Sequence, residues 1–106
     1  MATGRLGIAN ITNSSLTTAY EVPSDFFAVI SINIVNRLNT PQTIRLAAAS
    51  IASPTDAEWL EYDVEIDAKG VIERTGIILA ATQKLVVRAS TGQVSVVVFG
   101  IETPTA

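Results

Sequence analysis

The sequence has neither cysteine nor histidine, and its 106 residues include one tryptophan, one methionine and four prolines. Without cysteine there is no disulfide framework and no thiolate nucleophile. Without histidine a Ser-His-Asp triad and the usual zinc or copper sites are excluded as well. An enzyme built on this chain would have to work with carboxylates alone. We therefore expect no catalytic activity, no cofactor and no metal.

Charged residues are scarce too, at 16% of the chain against roughly 25% in typical soluble domains. The seven basic and ten acidic residues give a net charge of -3, and nucleic acid or an anionic membrane would require clustered Lys and Arg instead. Hydrophobic residues make up 48%, more than a monomer of this length can hide in its interior. We expect some of this apolar surface to lie against other subunits or partners.

Long apolar runs are missing, because no segment approaches the ~20 residues needed to cross a bilayer. The N-terminal segment MATGRLGIANITNSS has no basic start followed by an apolar core, so we expect a soluble protein made without a signal peptide. The length predicts one domain over residues 1–106. Within it we expect residues 1–12 to form an N-terminal arm or strand and residues 102–106 to form a loose tail.

Alternating apolar and polar residues predict β-strands along most of the chain. The strongest strand covers residues 26–37, where Ile30, Ile32 and Ile34 share the face that we expect to be buried. Residues 93–101 are apolar on both faces, which indicates a strand central to a sandwich or packed against another chain. About eight strands with turn residues between them predict an all-β fold, an immunoglobulin-like antiparallel β-sandwich. One short helical turn is expected after Ser53 as N-cap.

The stretch from 59 to 79 predicts a strand, a turn and a second strand. Its first strand should bury one parity and expose the other, and the expected inward residues are Leu60, Tyr62, Val64 and Ile66. Residues 67–70 have the composition of a hairpin loop, and we expect strand 42–50 to pair with the strand before it. A bulge near Gly76 would reconcile the parities of the two halves of the second strand.

Four carboxylates occupy the other parity of that first strand, at Glu61, Asp63, Glu65 and Asp67. Neighbours in such a row lie ~6 to 7 Å apart, near the separation of a glycosidase pair. A catalytic pair normally comes from different elements that line a cleft, however, and the row lacks the loop of an EF-hand calcium site. A solvated strand face is therefore the favoured interpretation.

Trp59 lies on the acidic parity and has two open interpretations. It either caps the edge of the sandwich beneath the Ser53 turn, or it anchors an interface or stacks on a sugar. The residues alone do not decide between these two.

Several short motifs resemble a family of short virion structural proteins of tailed bacteriophages, notably phages of marine bacteria. The resemblance spans nearly the whole chain, and one departure is Val35, where the family commonly has cysteine. The matching segments are Gly4-Arg5-Leu6-Gly7, Tyr20-Glu21-Val22-Pro23, Asn36-Arg37, Ile44-Arg45-Leu46-Ala47, Glu61-Tyr62-Asp63, Gly70-Val71-Ile72-Glu73-Arg74-Thr75-Gly76 and Gly100-Ile101-Glu102.

The resemblance implies a capsid decoration (cement) protein on the exterior of the virion, assembled in the host cytoplasm. Its partners would be the major capsid protein or other virion proteins. The protein itself would form a homo-oligomer, a trimer, at local three-fold positions of the head. The alternative is a tail, baseplate or fibre module that binds a receptor or glycan through Trp59 and the acidic strand. The residues expected at the interface are Arg5, Leu6, Trp59, Val97, Phe99 and Ile101.

Overall fold

A computed structural model describes residues 3–105. They form eight strands and one single-turn 3-10 helix, Asp56–Glu58. The strands are β1 Thr3–Ile11, β2 Thr17–Glu21, β3 Phe26–Asn36, β4 Gln42–Ala49, β5 Trp59–Ile66, β6 Val71–Leu79, β7 Lys84–Ala89 and β8 Val94–Pro104. Among these residues no helix is long and apolar enough to cross a membrane.

The strands build two four-stranded antiparallel sheets packed face to face. Sheet A has the order β1-β8-β3-β6 and sheet B the order β2-β7-β4-β5. The predicted all-β sandwich of about eight strands with one helical turn is confirmed. Its strand order is that of a jelly roll. Immunoglobulin domains use the orders ABED and CFG, so the connectivity differs from the immunoglobulin-like one that we expected.

This connectivity overturns two local predictions. β5 and β6 belong to different sheets, so residues 67–70 carry the chain across the sandwich and do not close a hairpin. β3 pairs with β6 and β8, whereas β4 pairs with β5 and β7, so the expected pairing of β3 with β4 is wrong. Within the described chain, β4 and β5 are the only consecutive strands that pair.

The core fills the space between the sheets. The predicted residues Ile30, Ile32 and Ile34 are fully buried there, because every second side chain of a strand points to the same face. β8 lies between β1 and β3 in sheet A, so the first of its two predicted positions, a central strand, is confirmed; packing against another chain stays a prediction. The other large side chains buried in the same cluster include Ile11, Ile44, Leu46, Leu79, Leu85, Val87, Val94, Val96 and Val98.

The two lateral edges of the sandwich are closed in different ways. β1 approaches β2 so closely that a Cβ on Gly7 would lie 2.5 Å from the Ala19 carbonyl oxygen. On the opposite edge, Arg74 of β6 reaches across to form an ion pair with Glu61 of β5. The register of β3 against β6 shifts beside Gly76, whose φ is 72°, so the predicted bulge is confirmed. The bulge leaves Arg74 pointing toward sheet B, where Glu61 satisfies its charge.

The helical turn and the C-terminal end differ from the predictions in detail. The N-cap is Thr55 and not Ser53, because the Glu58 carboxylate accepts the Thr55 backbone N–H at 2.8 Å and so fixes where the turn begins. β8 continues to Pro104 and pairs there with β3, so the loose tail is wrong for residues 102–104. Residues 3–11 form a paired strand and not a free arm; positions 1, 2 and 106 lie outside the described residues.

A buried polar pair, Asn36 and Gln42, ties together the loops at one end of the sandwich. The Asn36 amide nitrogen donates to the backbone oxygens of Thr40 at 2.9 Å and Asp67 at 3.1 Å. The Gln42 amide nitrogen donates to Asn36 Oδ1 and to the Gly92 oxygen, both at 2.7 Å. Gln42 Oε1 accepts the Gly92 N–H at 3.1 Å. Three loops are thus held by two side chains with satisfied hydrogen bonds.

Candidate functional site

The outer face of sheet A carries a continuous group of exposed or half-buried apolar side chains, which we call the apolar face. In the register of the sheet Ile8 is opposite Val97, while Val29 lies between Ile101 and Ile78. Exposure reaches 68% for Ile78, 59% for Ile8 and 50% for Ile101. Contiguous exposed apolar groups of this kind mark interaction sites in soluble proteins. The members of the apolar face are Ile8, Val29, Ile78, Val97, Phe99 and Ile101.

Charge around the apolar face is confined to the edge strands. Arg5 on β1 is paired with Phe99, and Glu73 on β6 is paired with Asn33. The polar residues between them, Ser31 and Asn33, are uncharged, and Asn33 Oδ1 is buried without a hydrogen-bond partner among residues 3–105. A partner meeting the centre of this face therefore has no ionised group to desolvate, which favours close apolar contact.

The structure gathers four of the six expected interface residues and separates the other two. Val97, Phe99 and Ile101 belong to the apolar face, and the exposed Arg5 borders it. Leu6 is the extra residue of a β1 bulge and packs against the core. Trp59 lies on sheet B. Whether any of the six forms an interface stays a prediction.

Three members of the apolar face, Ile8, Val29 and Ile78, were not anticipated from the sequence. Each lies on the parity opposite the buried residues of its own strand, which reads locally as an ordinary exposed position. Only the strand order places them beside Val97 and Ile101. The exposed parity of β1, β3 and β6 contained the signal, but it has meaning only once those strands are known to be neighbours of β8.

The outer face of sheet B has a different character, because polar side chains and Trp59 cover it. Arg45 and Arg88 are paired across β4 and β7. Beside them Ala47, Ala49 and Val86 form a small buried cluster against which Trp59 packs. Trp59 therefore covers the outside of the sheet next to the segment that joins β4 and β5, which agrees in part with its interpretation as a cap.

The remaining surface of Trp59 contributes to an open concavity of about 390 Å³, lined by Asp56, Trp59 and Tyr62. The two aromatic ring centroids lie 5.3 Å apart and their planes meet at 72°. This edge-to-face contact is a favoured geometry of aromatic pairs. The concavity thus combines two aromatic walls with one carboxylate.

A bulge in β5 brings Tyr62 into this site. β4 and β5 are in register at Ile44 and Val64 and again at Leu46 and Glu61, so Tyr62 and its neighbour oppose a single β4 residue. The residue after Tyr62 adopts a left-handed conformation with φ of 55°. Because the bulge interrupts the alternation, Tyr62 is 54% exposed, and its predicted inward position is wrong.

Arg45 is the β4 residue that faces the bulge, and it holds the bulge in place. Its guanidinium lies 4.1 Å from the centroid of the Tyr62 ring. It also donates to both carboxylate oxygens of Asp63, at 2.6 and 3.2 Å. These hydrogen bonds hold the pKa of Asp63 below its usual value and raise that of Arg45. The two charges are therefore largely matched by each other.

Residues 50–66 carry five carboxylates and no Lys or Arg, and most of these carboxylates have structural partners. Glu61 and Asp63 form ion pairs with arginines. Glu58 accepts the backbone N–H groups of Thr55 and Ser50, which lowers its pKa. Within the part of the chain that the structure describes, no three potential ligand side chains group together to hold a metal ion. Two of the four carboxylates in the predicted acidic row, Glu61 and Asp63, are thus engaged in structural contacts.

No family model and no curated protein matches the chain. Two solved structures are similar to it in part. A chain described as "Cyanophage Pam1 capsid asymmetric unit" is 12% identical with a TM-score of 0.42, over 95% of this chain and 88% of that one. The K3 cleaved adhesin domain of Lys-gingipain from Porphyromonas gingivalis w83 is 11% identical with a TM-score of 0.42, over 82% of this chain and 61% of that one. At these TM-scores neither likeness carries an argument about function.

Proposed function

We propose that this domain is a structural protein of a tailed-bacteriophage particle, a decoration protein that binds the outside of the head. The sequence motifs resemble short virion proteins, and the observation that carries the proposal is the apolar face. The proposal assigns no catalysis to the chain, which has neither histidine nor cysteine. Its partner is the major capsid protein, in contact with the apolar face.

The contrast between the two outer faces supports this orientation. A protein bound to the outside of a shell needs an apolar side that is buried against the shell and a polar side that stays exposed to solvent. The apolar face meets the first need, and the opposite face of sheet B presents Arg45, Arg88 and carboxylates of β5. In the bound state the first side faces the capsomers and the second faces the solvent.

The size of the apolar face favours binding as an oligomer. Burial of its six partly exposed side chains contributes about 1 kcal/mol each, or about 6 kcal/mol together. The loss of translational and rotational freedom on association opposes binding by a comparable amount, about 4 to 15 kcal/mol. One copy alone therefore gains little, whereas copies joined in a trimer bind at a high effective concentration. Because such copies bind the assembled lattice, they stabilise it.

Co-sedimentation of the purified protein with undecorated capsids tests the proposal. We expect saturable binding at a fixed copy ratio to the major shell protein. Ile78→Glu places a charge on the most exposed residue of the apolar face and should weaken binding at least about tenfold. Ile51→Glu is the matched control, because Ile51 is 60% exposed and lies outside this face. Absence of saturable capsid binding, or equal loss in both variants, would contradict the proposal.

A second candidate is a receptor- or glycan-binding module on the tail, baseplate or fibre. The concavity between Trp59 and Tyr62 favours the receptor-binding form of this candidate, since exposed aromatic side chains are common at binding hot spots. The same sedimentation with isolated tails and with host cells separates the two candidates. Binding to tails or cells without binding to capsids would replace the first proposal with the second.

A further inference from the structure

We propose that the concavity formed by Asp56, Trp59 and Tyr62 binds a cationic side chain, arginine or lysine, presented by a partner protein. This site goes beyond the proposed function, because Trp59 and Tyr62 belong to sheet B and Asp56 to the helical turn before it, whereas the apolar face lies on sheet A. It depends on neither capsid nor tail attachment.

The arrangement of the aromatic rings favours a cation over a sugar. A sugar stacks on one broad and flat ring face, whereas the planes of Trp59 and Tyr62 meet at 72° and form two walls at a steep angle. Cations bind against the negative faces of such rings, within ~6 Å of a centroid. Tyr62 already has one guanidinium at 4.1 Å, that of Arg45. One face of the Tyr62 ring is thus already covered by Arg45, whose charge is matched by Asp63, and the incoming cation meets the remaining aromatic surface and the Asp56 carboxylate.

The charge of the site points to the same ligand. Asp56 lines the concavity and forms neither an ion pair nor a side-chain hydrogen bond within residues 3–105. Two arginines contact carboxylates of β5: Arg45 forms an ion pair with Asp63, and Arg74 forms one with Glu61. Asp56 is therefore left to attract a positive charge, in a segment that contains no cation of its own.

The openness of the site indicates a side chain held on a larger partner. Sites for free small molecules enclose most of the surface of their ligand. This concavity of about 390 Å³ is open, and three of the residues between 3 and 105 line it, so it covers only one end of a bound group. A side chain that projects from a protein surface meets that condition, since the surrounding contacts supply the rest of the affinity.

Trp59 is the only tryptophan of the chain, so intrinsic fluorescence reports on the site directly. The purified protein is titrated with N-acetyl-arginine amide and N-acetyl-lysine amide at constant ionic strength. The neutral comparisons are N-acetyl-citrulline amide, which has nearly the shape of the arginine probe, and the sugars maltotriose and chitotriose. We expect saturable fluorescence changes at millimolar concentrations of the cationic probes, and weaker responses to citrulline and to both sugars.

Two variants locate the binding. Asp56→Asn keeps the shape of the site, removes its charge and should weaken cation binding about three- to fivefold. Tyr62→Leu removes one wall and should weaken it by a similar factor. Glu73→Gln is the matched control, because it removes one carboxylate from the other sheet and should leave binding unchanged.

Three results would overturn the inference. The first is a response to citrulline or a sugar as strong as that to arginine. The second is a cation response that Asp56→Asn leaves unchanged, and the third is no saturable response to either cation. These fluorescence titrations use the isolated domain, so their outcome is independent of whether the domain sediments with capsids.

Discussion

The Asn36 network allows a sharp test of what holds the loop end of the sandwich together. In Asn36→Asp the oxygen that accepts the backbone N–H of Leu38 and the amide of Gln42 is retained. The amide that donates to the Thr40 and Asp67 oxygens is replaced by a second acceptor. Two hydrogen bonds are lost, about 1 kcal/mol each, and a buried carboxylate oxygen then faces carbonyl oxygens without a donor.

We therefore expect Asn36→Asp to lower the free energy of unfolding by about 3 kcal/mol at neutral pH. In a domain of this size the change corresponds to a Tm lower by about 12 to 24 °C. Urea unfolding followed by circular dichroism measures it. Asn39→Asp, the same substitution at an exposed loop position, is the control and should change stability by less than about 0.5 kcal/mol.

The pH dependence gives the same test a second reading. Burial raises the pKa of the introduced carboxyl above its unfolded value of about 3.9. Its protonated form can donate one hydrogen bond again, so the deficit relative to wild type should shrink as the pH falls and be largest above the folded pKa. A deficit below about 0.5 kcal/mol, or one that is equal at pH 7 and near pH 4, would refute this account of the network.

Three further substitutions test other parts of the fold. Gly100→Ala would place a Cβ 2.0 Å from a backbone oxygen of β3; we expect a loss of about 3 kcal/mol, and an unchanged urea midpoint would contradict it. Burial, and then the 2.5 Å hydrogen bond to Glu102, raise the pKa of Tyr20. The Tyr20 hydroxyl therefore contributes its full stabilisation of the fold below the unfolded pKa of about 10, and this stabilisation is lost at higher pH. Tyr20→Phe should flatten the alkaline fall in Tm. Arg45 lowers the pKa of Asp63, so their ion pair adds a small stabilisation of the fold above pH ~4 that is lost in acid. Asp63→Asn should therefore weaken the acid dependence of Tm, and this effect should be smaller in high salt.

Much of the strand pattern was predictable because it depends on local alternation. Ile30, Ile32 and Ile34 identify the buried face of β3, and Gly76 marks a bulge, since each of these signals lies within one strand. Strand order was not predictable, because residues 67–70 have the composition of a hairpin loop whether the next strand pairs locally or crosses to the other sheet.

The candidate sites were harder to predict for related reasons. Tyr62 is exposed by a bulge whose left-handed residue is not a glycine, so the sequence gives no warning of it. Asn36 and Gln42 did leave a signal, because they continue the inward parity of β3 and β4. Their partners are backbone groups in separate loops, however, and only the fold brings these together.

The position of β8 has a consequence for how the domain forms. It separates β1 from β3 in sheet A, so neither of these two strands has its full set of hydrogen bonds until residues 94–104 have left the ribosome. Most strand pairs join distant parts of the chain, a topology that folds slowly, in milliseconds to seconds. Until then β1 and β3 present open strand edges that can pair with those of other chains. This interval is when aggregation competes most strongly with folding.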